Sequence, residues 1–554
     1  MFKQIDPKMA QFAWDFIHAS ALLSRTDGEM PNIEREWGRH AYALGPIENR
    51  LHEDFIAVVR SMLNAAKKIE GLDYRFETDP FGNTYFTHFG LDKSLPAVQM
   101  HSHLDSVPNG GMYDGVAGIA AALLLLAIVI GQKKTRRSFR IVAFRSEESS
   151  PHHGVACLGA SVATGNITKD ELEKIKREDG KRLRDIYSPD DWKRVLASLD
   201  EPSITPENTS CVIESHIEQS GHIFEAGKLV GIVDGAIAGA VREVATGAVT
   251  LKRIDAKEGA YTACQLRFLG EKNHTGTTPP NTGYIARRKR LYRKDALVGA
   301  SYVTRLMLKW DFVELLSSET AKDTGFTTVP SEHRVHIVVK TSKMHVFKRR
   351  LLALHAPLFD KLGVSFEWKG DGVVTSDEAT VIDKLSAGQF VVLPALINML
   401  ATEAYLRQGT AIGKTRFTIA DYHLTSKGFI CKCDGREVDV AEGDILLRTI
   451  RAVLVRRFGS QLVLERKSKK DSVPVSPWMV ERLQSIAKSR GIDCMLIPSH
   501  AGHDTDRHKG IDKAIVFYAQ EEGVSHNPRE DLKKEHFDLG NEILVPFVLE
   551  RLNA

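Results

Sequence analysis

The chain has 554 residues, enough for more than one domain with ample core. Its composition is that of an ordinary globular protein, and a net charge of +4 is small for this length, which argues against a dedicated nucleic-acid binder. Six scattered cysteines, Cys157, Cys211, Cys264, Cys431, Cys433 and Cys494, form no Cys-x-x-Cys pair and show no secreted-type disulfide framework. No basic segment followed by an apolar stretch opens the chain, so a cytoplasmic protein is the default expectation.

Residues 1–236 alternate strand-like and helix-like segments, as an α/β domain should. The apolar run Leu95–Met100 feeds into Gln99–Gly115, which places His103, Asp105 and Asp114 at a strand end and on the Gly-rich loop after it. Open α/β sheets put their chemistry there. The next run, Val116–Ile130, is too short for a bilayer, which needs about 20 residues, and predicts a buried helix behind that loop. Phe139–Phe144 leads to Glu147-Glu148, and Lys169–Leu199 is charged and helical in pattern. Cys211–Ile213 leads to His216-Ile217-Glu218-Gln219, and Ala514–Tyr518 leads to Ser525-His526-Asn527-Pro528.

Any one of these clusters, taken alone, reads more readily as a capped loop than as a site. Four strand-like runs that each end in His, Asp or Glu predict one composite site at the C-terminal edge of a sheet. Imidazole and carboxylate suit zinc and similar divalent ions, and a carboxylate can bridge two of them.

Beyond Gly239 the texture changes. Val241–Phe268 holds strand-like stretches, followed by His274-Thr275-Gly276-Thr277-Thr278-Pro279. Val298–Lys309 predicts a helix, Phe326–Lys340 a strand pair, His345–Leu362 a helix and Val364–Lys369 a strand. The same order returns at Leu393–Tyr405, Phe417–Arg436, Asp444–Phe458 and Gln461–Lys467. The α/β pattern resumes near Val475, with helix Met479–Ser489, strand Met495–Ile497 and then Ser499–Asp504. The expected organisation is a catalytic domain of residues 1–236 and 475–554, with an α+β lid of residues 237–474 inserted. The lid divides into a repeat at about 237–372 and another at about 373–474. Cys431 and Cys433 share one face of a strand and read as packing residues. The basic runs Lys133–Arg137, Arg287–Lys294 and Arg466–Lys470 read as solvated faces, although the middle one, near His274, could draw in acidic substrates.

These motifs, in this order, resemble the amidase branch of the dinuclear-zinc aminoacylase/carboxypeptidase superfamily. That branch holds allantoate amidohydrolases, N-carbamoyl-L-amino-acid hydrolases and β-ureidopropionases. The resemblance implies an α/β, mixed-sheet metallohydrolase with two divalent ions, zinc first and manganese or cobalt also suited. One ion would be held by His103, His216 and bridging Asp114, the other by Asp114, Glu148 and His526. Asp105 would orient His103, Glu147 would be the general base, and His274 would be the lid histidine that steadies the oxyanion. Gln219 would contact substrate. For His503 and Asp504, structural support and substrate contact stay open.

The departures lie in the lid. The family's Asn and Asp-x-Arg, which grip a substrate carboxylate, align with Thr327, Val338 and Lys340. A lysine cannot reproduce the bidentate fork. The second repeat carries Asp434-Gly435-Arg436, with His423 at the place of the Asn. The resemblance implies a homodimer whose partner lid completes the site, and a duplicated lid would make a monomer sufficient. The expected activity is hydrolysis of a linear amide or ureido C–N bond in a small, carboxylated molecule, with no nucleic-acid or membrane partner. A dipeptidase or aminoacylase with the same centre is the nearest alternative, and a non-catalytic metal-binding protein is another. Glu147 argues against the last, since a scaffold has no need of a base.

Overall fold

The computed structural model describes residues 5–23, 38–66, 72–131, 135–149, 154–177, 180–255, 260–275, 277–278, 293–321, 328–373, 378–407, 415–438, 440–459 and 462–554. Gly276, Pro279, the insertion Pro280–Arg290 and Thr327 lie outside them. The chain forms two compact units. One is Met1–Ile237 with Val473–Ala554, and the other is Ala238–Ser472.

The first unit is built on a mixed sheet. Its four central strands lie side by side and parallel, in the order Phe139–Phe144, Ala97–His103, Thr209–Ile217, Asp512–Tyr518. Every residue of Ala97–His103 is buried, as expected for a strand covered on both faces. Antiparallel strands Thr84–His88 and Tyr74–Thr78 extend one side, and Val230–Ile237 extends the other.

Helix Val116–Ile130 is apolar around its whole circumference, and all but one of its residues are buried. It packs against helix Pro7–Leu23 on one side and strands Ala97–His103 and Thr209–Ile217 on the other. Gly118 allows the close approach, because a Cβ there would sit 2.4 Å from the Ser215 carbonyl oxygen. The expected helix over Lys169–Leu199 is broken into Lys169–Lys174, a single turn at Leu183–Ile186, and Pro189–Ser198. Gly180 takes a left-handed conformation, and Ser188-Pro189 starts a new helix with the serine as its cap.

In the second unit eight antiparallel strands run in the order Ser365–Val373, Tyr261–Leu269, Glu332–Lys340, Val313–Thr320, Thr415–Thr425, Gly428–Glu437, Gly239–Gly247, Leu462–Lys470. Read inward from either edge, this is the same motif twice. The first half is strand Tyr261–Leu269, helix Ala296–Met307, strands Val313–Thr320 and Glu332–Lys340, helix Met344–Leu362, strand Ser365–Val373. The second is strand Gly239–Gly247, helix Leu393–Arg407, strands Thr415–Thr425 and Gly428–Glu437, helix Val440–Phe458, strand Leu462–Lys470. The halves join where Ser318 faces Leu424 and Glu319 faces His423.

Two expectations are corrected here. Gly239–Gly247 comes first in the chain but pairs with Gly428–Glu437 and Leu462–Lys470, so the first half is inserted into the second and does not precede it. The hairpin in the first half is Val313–Thr320 with Glu332–Lys340. The former strand escapes a pattern search because a bulge between Leu315 and Ser317 breaks its alternation. The second half contains Lys384–Thr402, long and apolar enough to cross a membrane. Its residues Phe390, Leu393, Ile397 and Ala401 are buried in this unit's core, which accounts for that apolarity. Cys431 and Cys433 are buried in the same core with their sulfurs 3.9 Å apart.

Candidate dinuclear metal site

The four parallel strands deliver their C-terminal ends to one place. His103 ends strand Ala97–His103, Glu147 and Glu148 follow Phe139–Phe144, His216 lies near the end of Thr209–Ile217, and His526 follows Asp512–Tyr518. Ser146, Gln219 and His526 all have positive φ, between 55° and 61°, and these sharp turns re-aim the chain just past the strand ends. Gly115, at φ 71°, opens the helix behind the loop, and any Cβ there would lie 2.6 Å from the His103 ring.

Asp114 stands at the centre. Its Oδ1 lies 3.3 Å from His103 Nε2 and 3.1 Å from His216 Nε2. Its Oδ2 lies 3.9 Å from His526 Nε2, which is itself 3.4 Å from Glu148 Oε1. The side chains thus form two groups, His103–Asp114–His216 and Asp114–Glu148–His526, all buried. Ligand atoms about 2.0–2.2 Å from a tetrahedral zinc stand roughly 3.3 Å from one another, so the first group fits one ion and the second a partner sharing Asp114. His216 Nδ1 is 2.9 Å from the Ile217 carbonyl, which places the ring proton there and leaves Nε2 with a lone pair for a metal.

Asp105 does more than orient His103. Its carboxylate is 3.4 Å from His103 Nδ1, and it also accepts the backbone N–H of Glu147 at 3.1 Å and of Glu148 at 3.0 Å. One buried carboxylate therefore ties His103, a candidate metal ligand, to the Glu147-Glu148 turn. Glu147 Oε2 is 3.9 Å from His103 Nε2, and Oε1 accepts the Cys157 thiol at 3.2 Å.

The charges are strongly shifted in the metal-free chain. Burial, with Glu148, Asp105 and Asp114 nearby, pushes Glu147 up to about 8. Burial works against charge on His216, but Asp114 outweighs it and the ring rises to about 9. The same contest raises His103, where burial is overcome by Asp105 and Asp114. Asp114 is held well below the carboxylate range, since its two histidines overcome burial.

Other expected contacts resolve differently. Gln219 Nε2 donates to Asp114 Oδ2 at 2.7 Å, so it braces the carboxylate common to both candidate ligand groups. His503 is buried, bonded to Ser499 Oγ at 2.9 Å and set edge-on against His216, with ring centroids 4.9 Å apart. Burial drops it to about 3, so it packs against His216 as a neutral ring. Glu218 accepts the N–H groups of His222 and Ile223 and caps the turn after the strand. Asp504 is wholly buried, and its carboxyl is raised by burial and by Glu147 and Glu214.

In the second unit, His274 Nδ1 accepts the Thr277 N–H at 3.0 Å, which puts the ring proton on Nε2 and makes that nitrogen a donor. Thr275 Oγ1 donates to Asp434 Oδ2 at 2.8 Å, and Arg436 Nε donates to the same oxygen at 2.9 Å. Arg416 faces Arg436 across the strand pair and reaches the Thr277 carbonyl. Arg293 bonds the Thr275 and Thr278 carbonyls, at 3.1 and 2.7 Å. His274 of the first half and Arg436 of the second thus belong to one hydrogen-bonded group. His423 does not join it. It stands seven residues from Arg416 along the strand, about 23 Å at the usual rise, and pairs with Asp421 at 2.9 Å. The register of the hairpin, not the spacing to Arg436, decides its place. Lys340 is exposed at the end of its strand.

Sequence reasoning missed Cys157, Arg39 and Glu530, which touch Glu147 or the Asp114 loop. Cys157 lies outside any motif. Glu530 closes the run Ser525-His526-Asn527-Pro528-Arg529-Glu530 and could have been read as an acid beside a ligand.

Metal removal should make stability depend on pH. Glu147, His103 and His216 all bind protons more tightly in the folded, metal-free chain than unfolded. The stability from Glu147 is fully present below about 4.3 and that from the histidines below about 6.5, the unfolded values. It is lost as pH rises toward the folded values, near 8 for Glu147 and 9 for His216. The metal-free protein should therefore melt lower at pH 8.5 than at pH 6.5, and added zinc should raise the melting temperature more at the higher pH. A zinc effect equal at both would contradict the assignment.

The family described as peptidase family M20/M25/M40 matches residues 99–550. A protein of Haemophilus influenzae named as an uncharacterized hydrolase is 22% identical over 481 residues, covering 86% of this chain and 87% of that one. The N-carbamoyl-L-amino-acid amidohydrolase of Paenarthrobacter aurescens is 29% identical over 275 residues, 49% of this chain and 57% of its own length. The Arabidopsis thaliana ureidoglycolate hydrolase is 29% identical over 187 residues, 33% of this chain and 39% of its own. Among solved structures, a hydantoinase/carbamoylase family amidase from Burkholderia multivorans superposes with a TM-score of 0.55 at 17% identity, covering 100% of this chain and 99% of that one, which shows a shared fold. With a match spanning most of its length, the chain belongs to the peptidase family M20/M25/M40.

Proposed function

We propose that this chain is a two-metal amidohydrolase that cuts a linear carbamoyl or ureido C–N bond in a small, carboxylated molecule. The observation that carries this reading is a pair of ligand groups sharing Asp114, with Glu147 at their edge. The choice of bond is supported by relatives named for N-carbamoyl amino acids, ureidoglycolate and allantoate. Two divalent ions held there would acidify a water and stabilise charge on the substrate's carbonyl oxygen. Glu147, with Oε1 held by the Cys157 thiol, takes the proton from the attacking water and hands it to the leaving nitrogen. His274 donates from Nε2 to the developing oxyanion. Arg436, whose Nε is fixed by Asp434, binds the substrate carboxylate.

Hydrolysis of a panel of N-carbamoyl amino acids, ureidoglycolate, allantoate and dipeptides tests the bond. Cleavage of dipeptides alone would overturn the carbamoyl reading. Glu147→Gln keeps the size of the side chain but cannot accept the proton, so turnover should fall by about a hundredfold or more with metal content unchanged. Turnover near that of the unaltered protein would remove Glu147 from the role.

We further infer that a single chain suffices. His274 lies on a short strand, Asn273–His274, paired with Thr328–Val329 beside the large sheet, and the residue after it, Thr275, is linked through Asp434 to Arg436 of the second half. Loss of His274 should lower kcat, because its contact strengthens only as charge develops. Loss of Arg436 should chiefly raise KM, since a carboxylate contact exists before and during reaction. Mixing His274→Ala with Arg436→Ala protein should restore nothing. Recovered activity on mixing would mean that chains share their sites.

A further inference from the structure

Asp114 is held through its backbone as well as its carboxylate. Glu530 Oε1 accepts the N–H of Tyr113 at 2.9 Å and of Asp114 at 3.0 Å. On the other side of the residue, Arg39 Nη1 donates to the Asp114 carbonyl at 3.2 Å. Arg39 Nη2 donates to the Leu104 carbonyl at 2.7 Å, and the Arg39 backbone exchanges two hydrogen bonds of 3.0 Å with Gly110. One guanidinium thus clamps both ends of the loop that carries Asp105 and Asp114. Glu530 Oε2 also accepts Ser525 Oγ at 3.0 Å, and that hydroxyl lies 3.1 Å from Asp114 Oδ2. The Glu530 carboxylate occupies the space that a side chain at Gly111 would need.

Arg39 is 1% exposed and Glu530 4%. Burying two charges is costly, and fold stability alone is a weak reason to keep them. Neither belongs to a ligand group. Burial works against the Arg39 charge, and Asp114, Glu530, Asp105 and Glu148 favour it. Burial wins and lowers the Arg39 pKa, yet a guanidinium is basic enough to stay protonated, so it stands as a cation among these carboxylates.

We propose that Arg39 and Glu530 are positioning residues that preset the bridging aspartate, so that both ions enter a preformed bridge. The proposal rests on the two-metal reading of the site and not on which bond is cut. A loop fixed in advance spares the ions the entropy of ordering it. Partners behind metal ligands typically affect affinity by about 10- to 100-fold.

The test is calorimetric titration of metal-free protein with zinc ion alone, with circular dichroism and thermal melting of each metal-free variant alongside. Arg39→Lys keeps the charge but cannot span two carbonyls. Glu530→Gln keeps an acceptor for two N–H groups, and Glu530→Ala removes it. Arg39→Lys and Glu530→Ala should each weaken both ions by about 10- to 100-fold, while Glu530→Gln stays close to the unaltered protein. Should either residue's variant fail to fold, the other decides the matter. Unchanged affinity in a folded Arg39→Lys or Glu530→Ala protein, a fall in melting temperature alone, or weakening of only one ion would overturn the clamp. An unaltered protein that binds fewer than two ions would instead overturn the two-metal reading, and the clamp with it. Failure of the substrate panel touches neither.

Discussion

Everything in the first unit converges on one carboxylate. Asp114 offers Oδ1 to His103 and His216 and Oδ2 to His526, and those side chains come from separate strand ends. A bridge of this kind tolerates little error, because ligand distances to zinc vary by only a few tenths of an ångström. The parallel sheet supplies the needed rigidity. Four neighbouring strands end at the same level, and an apolar helix packed through Gly118 holds them from behind. Asp105 then links His103 to the Glu147-Glu148 turn through one buried carboxylate.

The second unit solves a different problem. A four-stranded half would leave an edge strand open to another chain. Here the inner edges of the two halves meet each other, at Ser318–Leu424 and Glu319–His423, within one polypeptide. Thr275, Thr277 and Arg293 of the first half bond Asp434, Arg416 and Thr418 of the second, respectively. Nesting the first half between Gly239–Gly247 and the rest of the second makes the two halves one covalent object.

The sequence spoke clearly where a motif and a strand end coincide. His103, Asp114, Glu148, His216 and His526 fall in the polar clusters that follow apolar runs, and the structure gathers them at the C-terminal ends of the parallel strands, although those strands also bury Gln99, His101 and Glu214. It was silent where side chains reach across the fold. Nothing local announces that Glu530 receives the Asp114 N–H, or that Gln219 braces a carboxylate 105 residues away. Equal spacing misled at His423, since a hairpin pairs residues by register and sends His423 to the opposite end from Arg436. The strand at Val313–Thr320 was hidden by its bulge, and the nesting of the halves by the long separation between pairing partners.

The account stands on Asp114 being shared between two ions. Metal analysis of purified Asp114→Ala and His526→Ala proteins, beside the unaltered chain, tests this most directly. The unaltered protein should hold two ions per chain, His526→Ala should keep the ion at His103 and His216, and Asp114→Ala should lose both. Two tightly held ions in Asp114→Ala would contradict the shared bridge and the arrangement built around it.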